Sequence, residues 1–287
     1  KAKDVLIVKT DPPLISVVAA VVAKCRGALV CNWTQDLFPE VAQALEFGGN
    51  DWIQTVLRKL RNWSLRTAKC NVAIGEHMAR KLFDEGVPRE AITVIHNWAD
   101  GDSIRPLARE ENSLRKAWGL ERSFVVGYSG NFGRAHEFET ILKVAARLAN
   151  KQDIVFLFVG GGAQKGLIED ASANATVKNI LLKPYQPRDL LATSLTVPDV
   201  HLISLRPSLE GLIVPSKFYG IVAAGRPSIF IGDRDGQIPL LLSEGRCGFS
   251  FEIGQVEEMR QLISDLADQP EICAEIGLRA RALFDSR

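Results

Sequence analysis

Short apolar runs recur along the chain, each about four to six residues long and stopped by Gly, Asp, Asn or Lys. They are Val5–Val8, Ala28–Cys31, Asn71–Ile74, Ile92–Ile95, Phe124–Tyr128, Ile154–Val159, Ile180–Leu182, Val200–Ile203, Ser228–Ile231 and Gly248–Phe251. Their length and their stops mark them as strands rather than helix fragments. Most are separated by segments of helical periodicity, such as Phe138–Ala149, apolar at Ile141, Leu142, Ala145 and Leu148, and Val256–Ala267. Continuously apolar strands are buried on both faces, and strands alternating with helices build parallel sheets covered on both sides. The fold class that follows is α/β.

The rhythm breaks once. From Asn97 to Arg122 the sequence turns polar and turn-rich, through Asn97-Trp-Ala-Asp-Gly-Asp102 and Arg105-Pro106, and a domain boundary is expected there. It divides the chain into residues 1–103 and 104–287. A length of 287 residues with 46% hydrophobic content agrees with two cores, and two domains imply a cleft. No internal repeat, heptad run or low-complexity tract interrupts the pattern.

Lys and Arg total 35 against 34 Asp and Glu, so the broad positive field that sequence-independent nucleic-acid binding needs is missing. The five cysteines are scattered (Cys25, Cys31, Cys70, Cys247, Cys273), with no CxxC spacing, so neither a zinc site nor a disulfide framework is expected and a reducing cytosol fits. The four histidines (His77, His96, His136, His201) show no metal-ligand spacing, and no nucleophile elbow is present. The apolar stretch Leu14–Ala23 is well short of the ~20 residues that span a bilayer, and its basic lead-in is unlike a secretory signal. The chain opens at Lys1 without a methionine and enters an apolar run at once, from which a missing N-terminal part is expected.

Three loops carry candidate chemistry. Val125-Val-Gly-Tyr-Ser-Gly-Asn-Phe-Gly-Arg134 runs from a strand into glycines that are expected to open the helix whose periodic part is Phe138–Ala149. Backbone amides at such a junction suit a phosphate, and a tight turn is the plainer reading. After the strand Val200–Ile203 come Glu210-Gly211 and then Pro215 and Ser216 as helix-start residues, with Lys217 in the first turn. A lysine opposes the helix dipole there by about 0.3–1 kcal/mol, a misfit explained either by an anionic ligand or by solvation at the surface. Gly160-Gly-Gly162 follows another strand, as a phosphate cradle or a simple turn, at the sheet edge where open parallel sheets bind ligands.

In the N-terminal half, Gln35 and Asp36 follow a strand and face any cleft, with a helix N-cap the alternative role for Asp36. The segment Asp51–Lys69 places Trp52, Val56, Leu60 and Trp63 at helical spacing among Arg58, Lys59, Arg61, Arg66 and Lys69. An apolar face packed into the domain is the expected reading; a membrane-surface helix is the alternative.

Together these segments resemble the retaining glycosyltransferases of family four, with the GT-B fold of two Rossmann-like domains, and most closely the bacterial branch that builds capsule, exopolysaccharide or O-antigen units. The resemblance rests on Thr10-Asp-Pro-Pro-Leu14, Gln35-Asp-Leu-Phe-Pro-Glu40, Val94-Ile-His-Asn-Trp98, Gly127-Tyr-Ser-Gly-Asn131, Val159-Gly-Gly-Gly162, and above all Glu210-Gly-Leu-Ile-Val-Pro-Ser-Lys-Phe-Tyr219 with Ala224-Gly-Arg-Pro227. It implies metal-independent transfer from a nucleotide-sugar donor, a UDP-sugar first, to a lipid-linked or saccharide acceptor. It assigns the donor-sugar contact to Glu210 and diphosphate neutralisation to Lys217 and Arg134. Gly130, Asn131, Gly133, Gly211, Pro215, Ser216 and Tyr185 line the donor, and Gln35 and Asp36 the acceptor side.

Two residues depart from the family pattern. The second glutamate, which holds the ribose, falls near Gly220, and the histidine that many relatives place before the aspartate is Gln35. The resemblance further implies a partial N-terminal domain, lacking a glycine-loop βαβ unit, and a missing crossing helix beyond Ala280. It places the protein in the cytoplasm, with peripheral contact to the inner membrane as a further expectation. The rival readings are a sugar-nucleotide epimerase and a two-domain ligand-binding protein of periplasmic type.

Overall fold

A computed structural model describes residues 4–47 and 49–287. Lys1–Lys3, the basic lead-in, lie outside the described residues. The chain forms two compact units, Lys1–Asn97 with Pro207–Val214, and Trp98–Arg206 with Pro215–Arg287.

The first unit contains β1 (Val5–Lys9), α1 (Ile15–Arg26), β2 (Leu29–Thr34), α2 (Glu40–Ala44), α3 (Asp51–Thr67), β3 (Cys70–Ala73), α4 (Glu76–Asp84) and β4 (Ile92–Val94). Its sheet is parallel in the order β1-β2-β3-β4. Val8 and Val30 pack with Ala23 of α1 and with Ala68. The opposite row of β1 is open: Ile7 is 72% exposed.

The second unit contains α5 (Ser113–Ala117), β5 (Phe124–Asn131), α6 (Glu139–Arg147), β6 (Ile154–Gly161), α7 (Lys165–Ala173), β7 (Ile180–Lys183), α8 (Leu191–Leu195), β8 (Val200–Ser204), α9 (Lys217–Ala223), β9 (Ser228–Ile231), α10 (Gln237–Gly245), β10 (Gly248–Phe251), α11 (Val256–Asp268) and α12 (Pro270–Asp285). Its parallel sheet runs β10-β9-β8-β5-β6-β7. On one face Phe124, Val126 and Tyr128 pack with α6 and α11; on the other, Val125, Leu157 and Val159 pack with Leu114 and Val197. The fully buried Arg115 bonds Asp199 and the carbonyls of Val197, Leu120 and Ser123, and Asp199 accepts from Val125 N, so this charge is compensated. The strand order reverses between β5 and β8, and in such sheets the ligand crevice lies beyond the strand C-termini at that point.

All ten expected strands are present. Three other expectations need correction. The helix expected at Phe138–Ala149 is α6, Glu139–Arg147, but the glycine loop is not its N-terminus, since residues 132–138 intervene as a turn. Phe132 and Phe138 are both buried against Tyr128, and the chain must cross the strand ends to bury both. Asp36 is not an N-cap, since α2 starts at Glu40 after Pro39. Finally, the apolar stripe of α3 faces outward. Trp52 is 67% exposed, and Val56 and Leu60 are exposed too, whereas Gln54, Arg61, Asn62 and Ser64 are buried. Polar partners draw that side inward: Ser16 for Ser64, Glu40 for Arg61, and Glu85 for Asn62.

Candidate functional site

The loop after β5 is built from glycines because backbones meet there. β5 and β6 stay paired to their last residues, Gly130 opposite Gly160 and Asn131 opposite Gly161. Gly160 and Gly162 have φ of 142° and 144°, and a Cβ at either would collide with Gly130 O or the Asn131 side chain. Side chains would force the two loops apart.

The turn 132–138 is held at several points. Phe132 N donates to Gly161 O, and Gln164 Nε2 donates to Gly133 O (2.7 Å) and His136 O (3.0 Å). Tyr128 Oη donates to Asn131 O. Across the switch point, the His136 ring bonds Ser204 O through Nδ1 at 2.5 Å, Glu137 N donates to Ser204 Oγ, and Arg206 N donates to Ala135 O. The carbonyl acceptor requires the proton on Nδ1. Burial and the neighbouring Lys217 charge lower the His136 pKa to about 4, so the imidazole is neutral.

Lys217 is the first residue of α9, after Pro215 and the exposed Ser216. Part of its stem reaches the surface, but Nζ is out of solvent and has no hydrogen-bond partner. It lies 3.5 Å from the Tyr128 ring centroid, and a Cβ built on Gly130 would stand 3.6 Å from it. The amine therefore sits against the glycine loop at the switch point. Burial lowers its pKa well below the ordinary lysine value. Gly133 adjoins the Asn131 amide, and Arg134 is exposed on the same turn. Tyr185 is exposed, with its hydroxyl on Gly161 O. Gly220 sits where its Cβ would meet Leu195.

Glu210 and Gly211 belong to the other unit, on the segment Pro207–Val214. Gly211 needs its positive φ of 74°, and a Cβ there would lie 2.9 Å from Lys81 Cε and 3.2 Å from His77 O of α4. Leu212 O accepts from Leu37 N at 3.0 Å, which brings the Glu210 loop to the segment carrying Gln35 and Asp36. The amides of Gln35 and Asp36 both donate to Thr10 Oγ1. Although Asp36 reaches the surface, surrounding protein and then Asp11 raise its pKa above the ordinary carboxylate value, against Lys9.

Sequence reasoning grouped Lys217 with Gly130 and Asn131, which the structure brings together, but it also grouped Glu210 with Lys217 and Arg134, whereas Glu210 lies in the first unit on the loop bonded to the segment of Gln35 and Asp36. It passed over Tyr128, His136, Gln164 and Ser204, whose partners are distant in sequence; the aromatic spacing of Tyr128, Phe132 and Phe138 was the available clue. Cys31 and Cys70 are register partners on adjacent strands, and all five cysteines are free thiols. Among the described residues no cluster of three His, Cys, Asp or Glu could hold a metal, and no helix is long and apolar enough to cross a membrane.

No protein-family model matches the chain. It is 26% identical over 272 residues to WbjE of Pseudomonas aeruginosa, described as a probable glycosyltransferase, covering 92% of this chain and 66% of that protein. It is also 26% identical over 162 residues to WcaI of Escherichia coli K12, a putative colanic acid biosynthesis glycosyl transferase, covering 56% of this chain and 40% of that one. The chain thus spans less than two thirds of these relatives' length. Among solved structures, Anabaena HepE in complex with UDP superposes with a TM-score of 0.79 at 15% identity, covering 99% of this chain and 74% of that one. WaaG, a glycosyltransferase of lipopolysaccharide biosynthesis, superposes with a TM-score of 0.69 at 12% identity, covering 94% and 77%. The fold is the GT-B architecture of two parallel-sheet units.

Proposed function

We propose that the protein is a glycosyltransferase that moves a sugar from a nucleoside diphosphate donor, a UDP-sugar, to a lipid-linked or saccharide acceptor in surface polysaccharide synthesis, with retention of anomeric configuration. One observation carries this reading. The Lys217 ammonium has no hydrogen-bond partner and lies against the Gly130 loop at the point where the sheet order reverses. A diphosphate supplies the charge that this amine lacks and accepts from it. The likeness to WbjE and WcaI supports glycosyl transfer, and the likeness to UDP-bound HepE supports the donor class.

Chemically, the leaving group is a nucleoside diphosphate whose charge grows as the glycosidic bond breaks. Enzymes lower barriers by ~8–23 kcal/mol. A charge-assisted bond supplies ~1.5–3 kcal/mol, and more in a site that excludes water. Lys217 delivers it where a divalent cation would otherwise act, so the transfer is proposed as metal-independent. Arg134 is the second cation, Asn131, Gly133 and Tyr185 meet the nucleotide, and Glu210 meets the donor sugar. Gln35 and Asp36 serve the acceptor; Gln35 can bond a hydroxyl but cannot carry a proton. The outward face of α3, apolar at Trp52, Val56 and Leu60 and basic at Lys59 and Arg66, is proposed to rest on the cytoplasmic membrane surface.

A thermal-shift panel of nucleotide sugars tests the reading, since a ligand that prefers the folded state stabilises it by about 2.7 kcal/mol at a hundred times its Kd. UDP-sugars are expected to raise the melting temperature and free sugars to leave it unchanged. The opposite pattern would point to a sugar-binding protein.

A further inference from the structure

A second polar site lies wholly within the first unit, at the C-terminal ends of β1 and β2. A small cavity there, with room for one water-sized group, is lined by Thr10, Leu14, Ser16, Thr34, Asp36, Leu37, Phe38, Arg61 and Leu65. Arg61 is only 5% exposed. Its Nη2 bonds Glu40 Oε1 at 2.5 Å, while Nε and Nη1 have no partner. Thr34 is fully buried, and its hydroxyl is also unpartnered. Buried donors of this kind carry a desolvation cost that a fold does not retain for packing alone, because valine fills the space of Thr34 without it.

The charges around the cavity decide what it takes. Arg61 and Arg58 are both on Glu40, and Asp36 and the nearby Asp11 face Lys9. An anion would gain from the guanidinium and lose as much to the carboxylates. A hydroxyl can accept from Arg61, exchange a bond with Thr34, and donate to Asp36. Leu14, Leu37, Phe38 and Leu65 complete the lining with apolar surface.

We infer that this cavity receives one hydroxyl group of a neutral saccharide, bonded to Arg61, Thr34 and Asp36. The inference rests on the transferase reading only in calling that saccharide the acceptor. It makes the group nearest the β1 and β2 ends an uncharged polyol and not the phosphate of a lipid carrier.

The Arg61 Nε–H resonance provides a direct probe in nitrogen-resolved NMR. Glycerol and methyl α-glucopyranoside are each titrated into the wild-type protein and into Thr34→Val, with inorganic phosphate as the anionic control. A saturable shift with either polyol is expected in the wild type, weakened about two- to tenfold in Thr34→Val, the range of one hydrogen bond. The variant should melt at or above the wild-type temperature, since it loses a buried hydroxyl without a partner; a merely structural Thr34 would leave polyol affinity unchanged. Equal responses in the two proteins, a response to phosphate alone, or no saturable response to either polyol would each overturn the inference. UDP is added to the same samples: a polyol response without a UDP response would sink the transferase reading and leave this site standing.

Discussion

Lys217 Nζ lies 3.5 Å from the centroid of the Tyr128 ring and makes no hydrogen bond. The ring face attracts a cation, but a cation–π contact at a desolvated site contributes about 2 kcal/mol, less than the cost of removing an ammonium from water. The lysine is therefore a stability liability in the unliganded protein. Lys217→Met is expected to raise the melting temperature, corresponding to about 1–2 kcal/mol, as a buried unpaired charge is replaced by a side chain of similar shape. Calorimetry on the unliganded variant checks this; a large loss of stability would mean that the amine has a structural partner.

The same burial couples nucleotide binding to protons. Burial holds the Lys217 pKa well below its ordinary value, and an adjacent diphosphate favours the charged form and raises it again. Between those two values UDP binding takes up a proton, so affinity falls as pH rises through the window. Titration calorimetry in buffers of different ionisation enthalpy is expected to show proton uptake within that window. Proton release would contradict the assignment.

Acid stability is set by the histidines. His201 is fully buried in β8 and held neutral, its Nε2–H donating to Leu195 O at 2.8 Å, and burial lowers its pKa from 6.5 to about 4. Since the folded pKa is the lower one, the unfolded chain binds more protons between these values. Stability is complete above pH 6.5 and is lost as pH falls towards about 4. The loss is about 3 kcal/mol for His201, with His136 acting in the same direction. Chemical denaturation from pH 7 to 4.5 should show this slope, and His201→Leu should reduce it.

Trp52 is 67% exposed on a helix whose basic residues include Lys59 and Arg66. Vesicles containing anionic lipid should retain the protein at low salt, and Trp52→Ser with Val56→Ser should abolish retention without changing UDP affinity. Equal retention on neutral vesicles would exclude the charge contribution.

The strands were legible because each is a short apolar run closed by a polar or glycine stop, and all ten such runs became strands, whereas the longer stretch Leu14–Ala23 became α1. The donor loop was legible in composition but not in course. Gly130 and Gly133 signalled a close approach and periodicity placed the start of α6 within one residue, yet the turn between them depends on burying Phe132 and Phe138 together, a tertiary demand. The orientation of α3 was misread for a similar reason. Periodicity places its apolar residues on one face, but Ser16, Glu40 and Glu85 select the polar face for burial, and these partners are 21 to 48 residues away. The Arg61 cavity is a product of that inversion and has no local signature.

Isothermal titration of UDP into the wild-type protein and Lys217→Met tests the central claim most directly. If the amine beside Gly130 is the diphosphate's partner, the variant binds UDP about tenfold or more weakly, and donor turnover falls further still. Unchanged affinity in a folded variant would show that Lys217 belongs to the Tyr128 core alone, and the proposed transferase site would lose its buried cation.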